Sequence, residues 1–256
     1  MILFPCAKIN IGLRVLGKRE DGYHNISSVF YPVSSCSDIL EITEQEHFLF
    51  ESSGIDIPKG ENLCEKAFYL LRKDFSFPNV HIHLHKQIPI GAGLGGGSTD
   101  AAFTLKALNE LFELEISSKK LEEYALQLGA DCPFFIDNTP KYVEGIGDKM
   151  ISIDLNLSGF EIRLINSEIH ISTGEAYGGI TPQIPKTNLL DLINQPMENW
   201  KGKIKNDFEK SIFENYSKLQ SIKQQLYKDG AIYASMSGSG STLYGFFVIP
   251  KFCTFL

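Results

Sequence analysis

Five glycines in seven positions, from Gly91 to Gly97, constrain this 256-residue chain more than any other feature. They belong to the segment Pro89-Ile90-Gly91-Ala92-Gly93-Leu94-Gly95-Gly96-Gly97-Ser98-Thr99, which stands between two periodic stretches. Before it, Val80 to His85 alternates apolar and polar residues, the pattern of a strand. After it, Ala101, Ala102, Leu105, Leu108, Leu111 and Phe112 predict a helix from about Thr99 to Phe112, with Ser98 as N-cap and Asp100 as a first-turn acid. Glycines let the backbone reach positive φ and let a ligand approach it closely. Successive N–H groups then cradle an anion, and the helix N-terminus adds free donors and a partial positive charge. The segment therefore predicts a phosphate site; a plain turn needs fewer glycines.

The type of loop can be narrowed. Gly97 is followed by Ser98, so the lysine of a Walker A loop is missing. Gly91-x-Gly93-x-x-Gly96 meets the dinucleotide spacing, but Glu113 and Glu115 follow a helix directly instead of ending a second strand. The lysine strand and H-R-D motif of protein kinases are absent.

Elsewhere, Ala7 to Leu16 alternates through Ile9, Ile11, Leu13 and Val15 and predicts a half-buried strand. Glu20-Asp21-Gly22 marks a turn, with strands expected at Ile26 to Val33 and Ile39 to Thr43. Glu61 to Phe75 and Ser118 to Leu128 read as helices, the latter closed by Gly129 at C′. In the second half a strand is expected at Phe160 to Ile165 and a connection from Tyr177 to Pro185. Helices follow near Leu189 to Ile193, Asp207 to Phe213 and Tyr216 to Tyr227. Ser235 to Ser241 reads as a tight structured loop, followed by a strand from Thr242 to Val248. A domain boundary is expected after Gly145-Ile146-Gly147-Asp148, giving domains 1–150 and 151–256.

Composition removes several classes. Lys plus Arg number 24 against 31 Asp plus Glu, a formal charge of −7, which argues against nucleic acid or an anionic membrane as the main partner. A local basic pocket remains compatible with that charge. No apolar run approaches the roughly 18 residues of a membrane span, and the first residues lack the pattern of a signal peptide. Cys6, Cys36, Cys64, Cys132 and Cys253 are scattered and form no C-x-x-C pair, so reduced thiols of a cytoplasmic protein are expected. His81, His83 and His85 share one strand face, but no cysteine or carboxylate at ligand spacing joins them; a solvated face is the expectation.

Several segments together resemble the GHMP kinases, the family of galactokinase, homoserine kinase and mevalonate kinase. Pro89 to Ser98 is similar to their P-x-x-x-G-L-x-S-S phosphate loop, and Ala7-Lys8-Ile9-Asn10 to their first motif. Gly129-Ala130-Asp131-Cys132-Pro133-Phe134-Phe135 resembles the catalytic motif, and Ser237-Gly238-Ser239-Gly240-Ser241 the third motif. The third glycine, the following Ala-Ala and the turn Asp21-Gly22-Tyr23-His24 resemble the branch that acts on a cytidyl diphosphate sugar alcohol. The likeness runs in order from residue 5 to about 247.

The resemblance implies a two-domain α+β fold with ATP and acceptor in the cleft between domains, and transfer of the γ-phosphate to the acceptor's 2-hydroxyl. It makes Asp131 the general base and Lys8 its partner. It assigns ATP to Asn62 and Pro89, Ile90, Gly91, Ala92, Gly93, Leu94, Gly95, Gly96, Gly97, Ser98 and Thr99. It assigns the acceptor to Asn10, Tyr23, His24, Thr173, Tyr177, Ser237, Gly238 and Ser239, with Tyr23 and Tyr177 on the two faces of cytosine and His24 bonding its edge. Mg²⁺ follows from phosphoryl transfer in general. Expected partners are the small-molecule acceptor alone, without nucleic acid or membrane, in a monomer or weak homodimer. Simpler roles exist for each residue: a helix cap for Asp131 or Asn62, an exposed strand end for Lys8, a packed hairpin aromatic for Tyr23 and a surface aromatic for Tyr177. Another GHMP kinase, such as homoserine kinase, and a noncatalytic nucleotide-binding protein are the alternatives. The family pattern continues past the third motif with a further helix and strand, whereas this sequence ends after Val248 to Leu256, so a short second domain is expected.

Overall fold

The computed structural model describes residues 1–58, 60 and 62–249. The tail from 250 onward, with Cys253, and the Glu61 start expected for the first helix lie outside the described residues. The chain runs β1 (Ile2–Leu3), β2 (Cys6–Lys18), β3 (His24–Ser37), β4 (Ile39–Gln45), β5 (Leu49–Gly54), α1 (Leu63–Arg72), β6 (Asn79–Lys86), α2 (Gly96–Leu111), α3 (Ser118–Leu128) and α4 (Phe134–Asp137). It continues through β7 (Lys141–Gly145), β8 (Lys149–Ser152), β9 (Phe160–Ile165), α5 (Thr173–Gly178), α6 (Leu189–Ile193), α7 (Glu209–Asn215), α8 (Ser217–Lys228), β10 (Tyr233–Met236) and β11 (Leu243–Val248). Three sheets form, ordered β1-β4-β6-β5, β2-β3-β7-β8 and β10-β11-β9. All pairs are antiparallel except β5 with β6.

Strand β2 departs from the half-buried expectation: every residue from Cys6 to Val15 is buried. Ala7, Ile9 and Ile11 enter one apolar cluster with Tyr233, Tyr244 and Phe246 of the second half, while Leu13 and Val15 enter another with Phe208 and Leu243. Its polar residues face the interior because they carry the site. The pairing with β3 slips between Ile11 and Leu13, at Gly12. Such a bulge re-aims the side chains beyond it. Gly12 has φ +66, and a Cβ there would lie 2.9 Å from Ile204 and 3.0 Å from Leu189 side-chain atoms. On its outer edge, β2 exchanges backbone bonds with the second half: Leu13 N–H to Lys205 O (3.0 Å) and Asp207 N–H to Leu13 O (2.8 Å).

Three expectations shift at element ends. Helix α2 starts at Gly96 with Gly95 as N-cap, not at Thr99 behind Ser98, and Asp100 lies in its second turn. Glycine is read in sequence as a helix breaker, yet left-handed Gly95 (φ +71) closes the loop and the next two glycines are helical. Gly129 ends α3 in an extended conformation (φ 171), not the left-handed one usual at C′. Strands β1, β5, β7, β8 and β10 were not expected, and β10 takes Ser235 and Met236 from the loop expected to start there. β5 is an edge strand of mostly exposed residues, and Tyr233-Ala234-Ser235-Met236 of β10 is buried throughout, so neither shows alternation. The boundary expected at residue 150 falls inside β8, and residues 153–159 link β8 to β9.

Asn206, whose backbone bridges Leu13 of β2, ties that edge to the Met236–Gly238 segment. Its Nδ2 donates to Met236 O and Gly238 O, both at 2.8 Å, and its Oδ1 accepts from Phe208 N–H at 3.0 Å. Asn206→Ala would leave two buried carbonyls unpaired and is expected to lower unfolding free energy by about 1–3 kcal/mol, measured from the urea midpoint.

Candidate active site

The glycine segment is held at both ends by one buried charge cluster. Lys86, the last residue of β6, donates from Nζ to Asp38 Oδ2 (2.5 Å) and to Asp100 Oδ2 (2.7 Å). Asp38 Oδ1 accepts the N–H groups of Gln87 (2.6 Å) and Ile88 (2.8 Å) as the chain leaves the strand. Burial, outweighing the pull of Lys86, pushes the Asp100 carboxyl up to about 8. Along the segment, Leu94 O accepts from Lys8 N–H (2.9 Å) and Gly93 O from Ser237 Oγ–H (2.8 Å). Gly93 has φ +79, and a Cβ there would sit 2.1 Å from Ser237 O. Gly97 is exposed and has only Leu63 within 4 Å of a would-be Cβ. The loop thus packs against protein at Gly93 and stays open at Gly97, beside the start of α2. Free N–H groups of the first helical turn there suit a phosphate.

Lys8 is 4% exposed, not a strand end in water. Its Nζ lies 3.5 Å from Asp131 Oδ2, donates to Asn10 Oδ1 (2.6 Å) and stands 4.5 Å from the Phe30 ring centroid. Burial lowers the pKa of the Lys8 ammonium and Asp131 opposes that shift. Asn10 is fixed from three sides: Nδ2 donates to Ser28 Oγ (3.0 Å), its N–H to Ser237 Oγ (3.2 Å), and its carbonyl accepts from Tyr244 O–H (2.8 Å). Asp131 is one-third exposed, in the turn between α3 and α4. One carboxylate is therefore open to a ligand, with its cation fixed behind it.

Among the aromatic residues assigned to the acceptor, His24 and Tyr177 are in contact. His24 stacks on Tyr177, with centroids 4.7 Å apart and planes at 21°, and Phe208 meets Tyr177 edge-on at 4.9 Å. Tyr23 is 61% exposed. It follows the Gly22 turn, where Asp21 Oδ1 accepts its N–H (3.1 Å), and consecutive residues entering a strand point to opposite sides. Thr173 is exposed at the start of α5, which Ser172 caps by accepting Glu175 N–H (3.1 Å). Ser237 is fully buried, its hydroxyl engaged by Asn10 and Gly93, and Gly238 lies against Gly93, so these two act on the loop from behind. Ser239 is half-buried between them and Gly240.

Asn62 caps α1: its Oδ1 accepts Cys64 N–H (2.7 Å) and its own N–H donates to Glu65 (3.0 Å). Ser98 lies beside the Cys132 thiol, and the Thr99 hydroxyl is buried without a hydrogen-bond partner among the described residues. Pro89, Ile90, Gly91 and Ala92 line a cavity of about 310 Å³ together with Asp56 and His170. Sequence reading missed Asp56 and His170, and also the Asp38–Lys86–Asp100 cluster; only the position of Lys86 at the end of an alternating strand hinted at it. On the β6 face, His81 Nε2 lies 2.9 Å from Glu51 Oε2, and Ser53 Oγ lies 3.1 Å from His83 Nε2 and 2.9 Å from His85 Nδ1.

Comparison with known proteins agrees along the chain. Residues 62–138 match the GHMP kinases N terminal domain and residues 184–250 the GHMP kinases C terminal domain. A 4-diphosphocytidyl-2-C-methyl-D-erythritol kinase of Azobacteroides pseudotrichonymphae is 50% identical over 98% of this chain and 94% of its own. One of Bacteroides fragilis is 50% identical over 96% of this chain and 92% of its own. A crystal structure of 4-(cytidine 5'-diphospho)-2C-methyl-D-erythritol kinase superposes with a TM-score of 0.80 at 30% identity, over 96% of this chain and 89% of that one. Homoserine kinase from Cytophaga hutchinsonii, at 15% identity and a TM-score of 0.64 over 96% of this chain and 86% of that one, shares the fold.

The loop's two glycine environments predict opposite outcomes. Gly93→Ala forces a side chain into Ser237 O at positive φ and is expected to destabilise the fold by about 1–3 kcal/mol. Gly97→Ala, helical and unobstructed, is expected to leave stability unchanged or raise it by up to about 1 kcal/mol. Urea unfolding of the two variants checks this.

Proposed function

Since this chain belongs to the GHMP kinase family, we propose that its site transfers the γ-phosphate of ATP to the 2-hydroxyl of 4-diphosphocytidyl-2-C-methyl-D-erythritol, a step of isopentenyl diphosphate biosynthesis by the methylerythritol phosphate pathway. The observation that carries this is 50% identity over nearly the whole chain to kinases of that name, joined to a buried Lys8 paired with an accessible Asp131 beside the glycine loop. Incubating the protein with Mg-ATP and a panel of alcohols, this acceptor and homoserine included, tests it; phosphorylation of homoserine in preference to the cytidyl compound would reject the acceptor.

In our reading the first turn of α2 and the exposed backbone around Gly97 bind the ATP phosphates, and the cavity of about 310 Å³ takes the nucleoside end. Asp131 accepts the acceptor's hydroxyl proton as the oxygen attacks phosphorus. Lys8, 3.5 Å from Asp131, offsets charge on the transferring group. Asn10 fixes the Lys8 ammonium, so most of the catalysis is positioning. Mg²⁺ neutralises phosphate oxygens when bound. The Ser98 hydroxyl at the loop exit is a hard oxygen donor that fits an ion carried in on the nucleotide. His24 and Tyr177 form the wall for the cytosine, with Tyr23 free to cover its other face. The chain divides as two domains, residues 1–150 and 151–256. The protein works in the cytoplasm as a monomer or weak homodimer, on small molecules alone; four free thiols among the described residues support that compartment.

Two variants separate the chemistry from the recognition. Asp131→Asn is expected to lower kcat by roughly 10²–10⁴ while ATP and acceptor still bind, read by single-turnover kinetics and calorimetry. Tyr177→Ala is expected to weaken the cytidyl acceptor by about 1–3 kcal/mol, read as its KM, with the KM for ATP nearly unchanged.

A further inference from the structure

A cavity of about 1160 Å³ lies in the second half, and none of the residues assigned to the reaction lines it. Five basic side chains face it (Arg14, Lys203, Lys205, Lys210 and Lys223), in a chain whose overall charge is −7. The three acids among its lining are Asp207, Glu209 and Glu214. Asp207 Oδ2 is engaged by Val15 N–H (2.8 Å) and Glu209 Oε2 by Lys223 Nζ (2.6 Å). The balance in the cavity is thus positive.

Arg14 makes the site specific. It reaches the cavity from β2 beyond the Gly12 bulge and is only 8% exposed. Its Nη1 donates to Thr187 O (2.6 Å), and the charge of Asp207, in the same lining, partly offsets its burial without a direct ion pair among the described residues. Thr187 O takes only one of its donors, and the planar fork of a guanidinium matches phosphate oxygens two at a time.

The same walls hold the Ser237–Thr242 loop. Asn206, in the cavity lining, binds Met236 O and Gly238 O. Glu209 Oε1 accepts Ser235 Oγ–H (3.0 Å) and Met236 N–H (2.9 Å), while its other oxygen holds Lys223. An anion that draws Lys223 toward itself therefore alters, through Glu209, the support of the loop whose Ser237 touches Asn10 and Gly93.

We propose that this cavity is a second anion site, taking a small molecule through its phosphate or diphosphate group, and that its occupancy adjusts the glycine loop through the Ser237–Thr242 segment. The proposal does not depend on which alcohol the enzyme phosphorylates. Inorganic pyrophosphate is the probe, titrated by calorimetry into the full-length protein saturated with Mg²⁺ and a non-hydrolysable ATP analogue. The expected result is binding that weakens by about tenfold in Arg14→Gln and in the double variant Lys203→Glu/Lys210→Glu. In steady-state assays the anion is expected to change the KM for ATP on the order of fivefold in the native enzyme and not in the double variant. Both lysines are exposed, so the double variant folds independently of what the buried Arg14 contributes. No binding, binding equally tight in both variants, or a KM for ATP that pyrophosphate leaves unchanged would overturn the proposal.

Discussion

Everything functional in this molecule rests on the ammonium of Lys86 held between Asp38 and Asp100. The glycine-rich loop has almost no side chains with which to hold itself, so its position must be imposed at its ends. Lys86 and the two backbone N–H groups taken by Asp38 fix the entry, and Asp100 in the second turn of α2 fixes the exit. Two carboxylates share one lysine out of water, which is tolerable only with the carboxyl of Asp100 shifted far up from its ordinary range. Removing the lysine alone would leave two buried acids facing each other. The cluster thus trades stability for the location of a loop that ligand chemistry requires to be bare.

With the loop located, the rest of the site assembles on β2. That strand lies between two apolar clusters that draw on both halves of the chain, and its alternate residues Lys8 and Asn10 are thereby forced into the interior next to the loop. Lys8 bonds the loop by its backbone and faces Asp131 by its side chain, so one residue sets the distance from glycine loop to carboxylate. Ser237 then closes the arrangement from the second half, bonding both β2 and the loop. The third glycine-serine motif acts here as a clamp behind the phosphate loop.

Much of this was legible locally. Strand β6, helix α3, strand β9 and helix α6 stand where alternation, helical spacing and capping residues put them, because each buries one face and shows the matching period. The short strands β7, β8 and β10 were not legible. Their residues are chosen by the neighbours they pair with, and four or five residues carry no period. The start of α2 was misplaced because glycine's low helix propensity ignores what the free N–H groups there are for.

The sequence by itself determined that a glycine-rich anion loop joins a strand to a helix, and it named the residue types that a phosphoryl transfer needs. It also carried enough motifs, in order, to identify the family. Only the tertiary structure decided that Lys86 is shared by two buried acids, that His24 stacks on Tyr177, and that Ser237 faces the loop and not open solvent. Each of these pairs residues far apart in the chain, or depends on a turn or bulge that chooses one of two sides. Local patterns record how a segment hides its own apolar face; which distant side chain meets it is settled when the two halves close around β2.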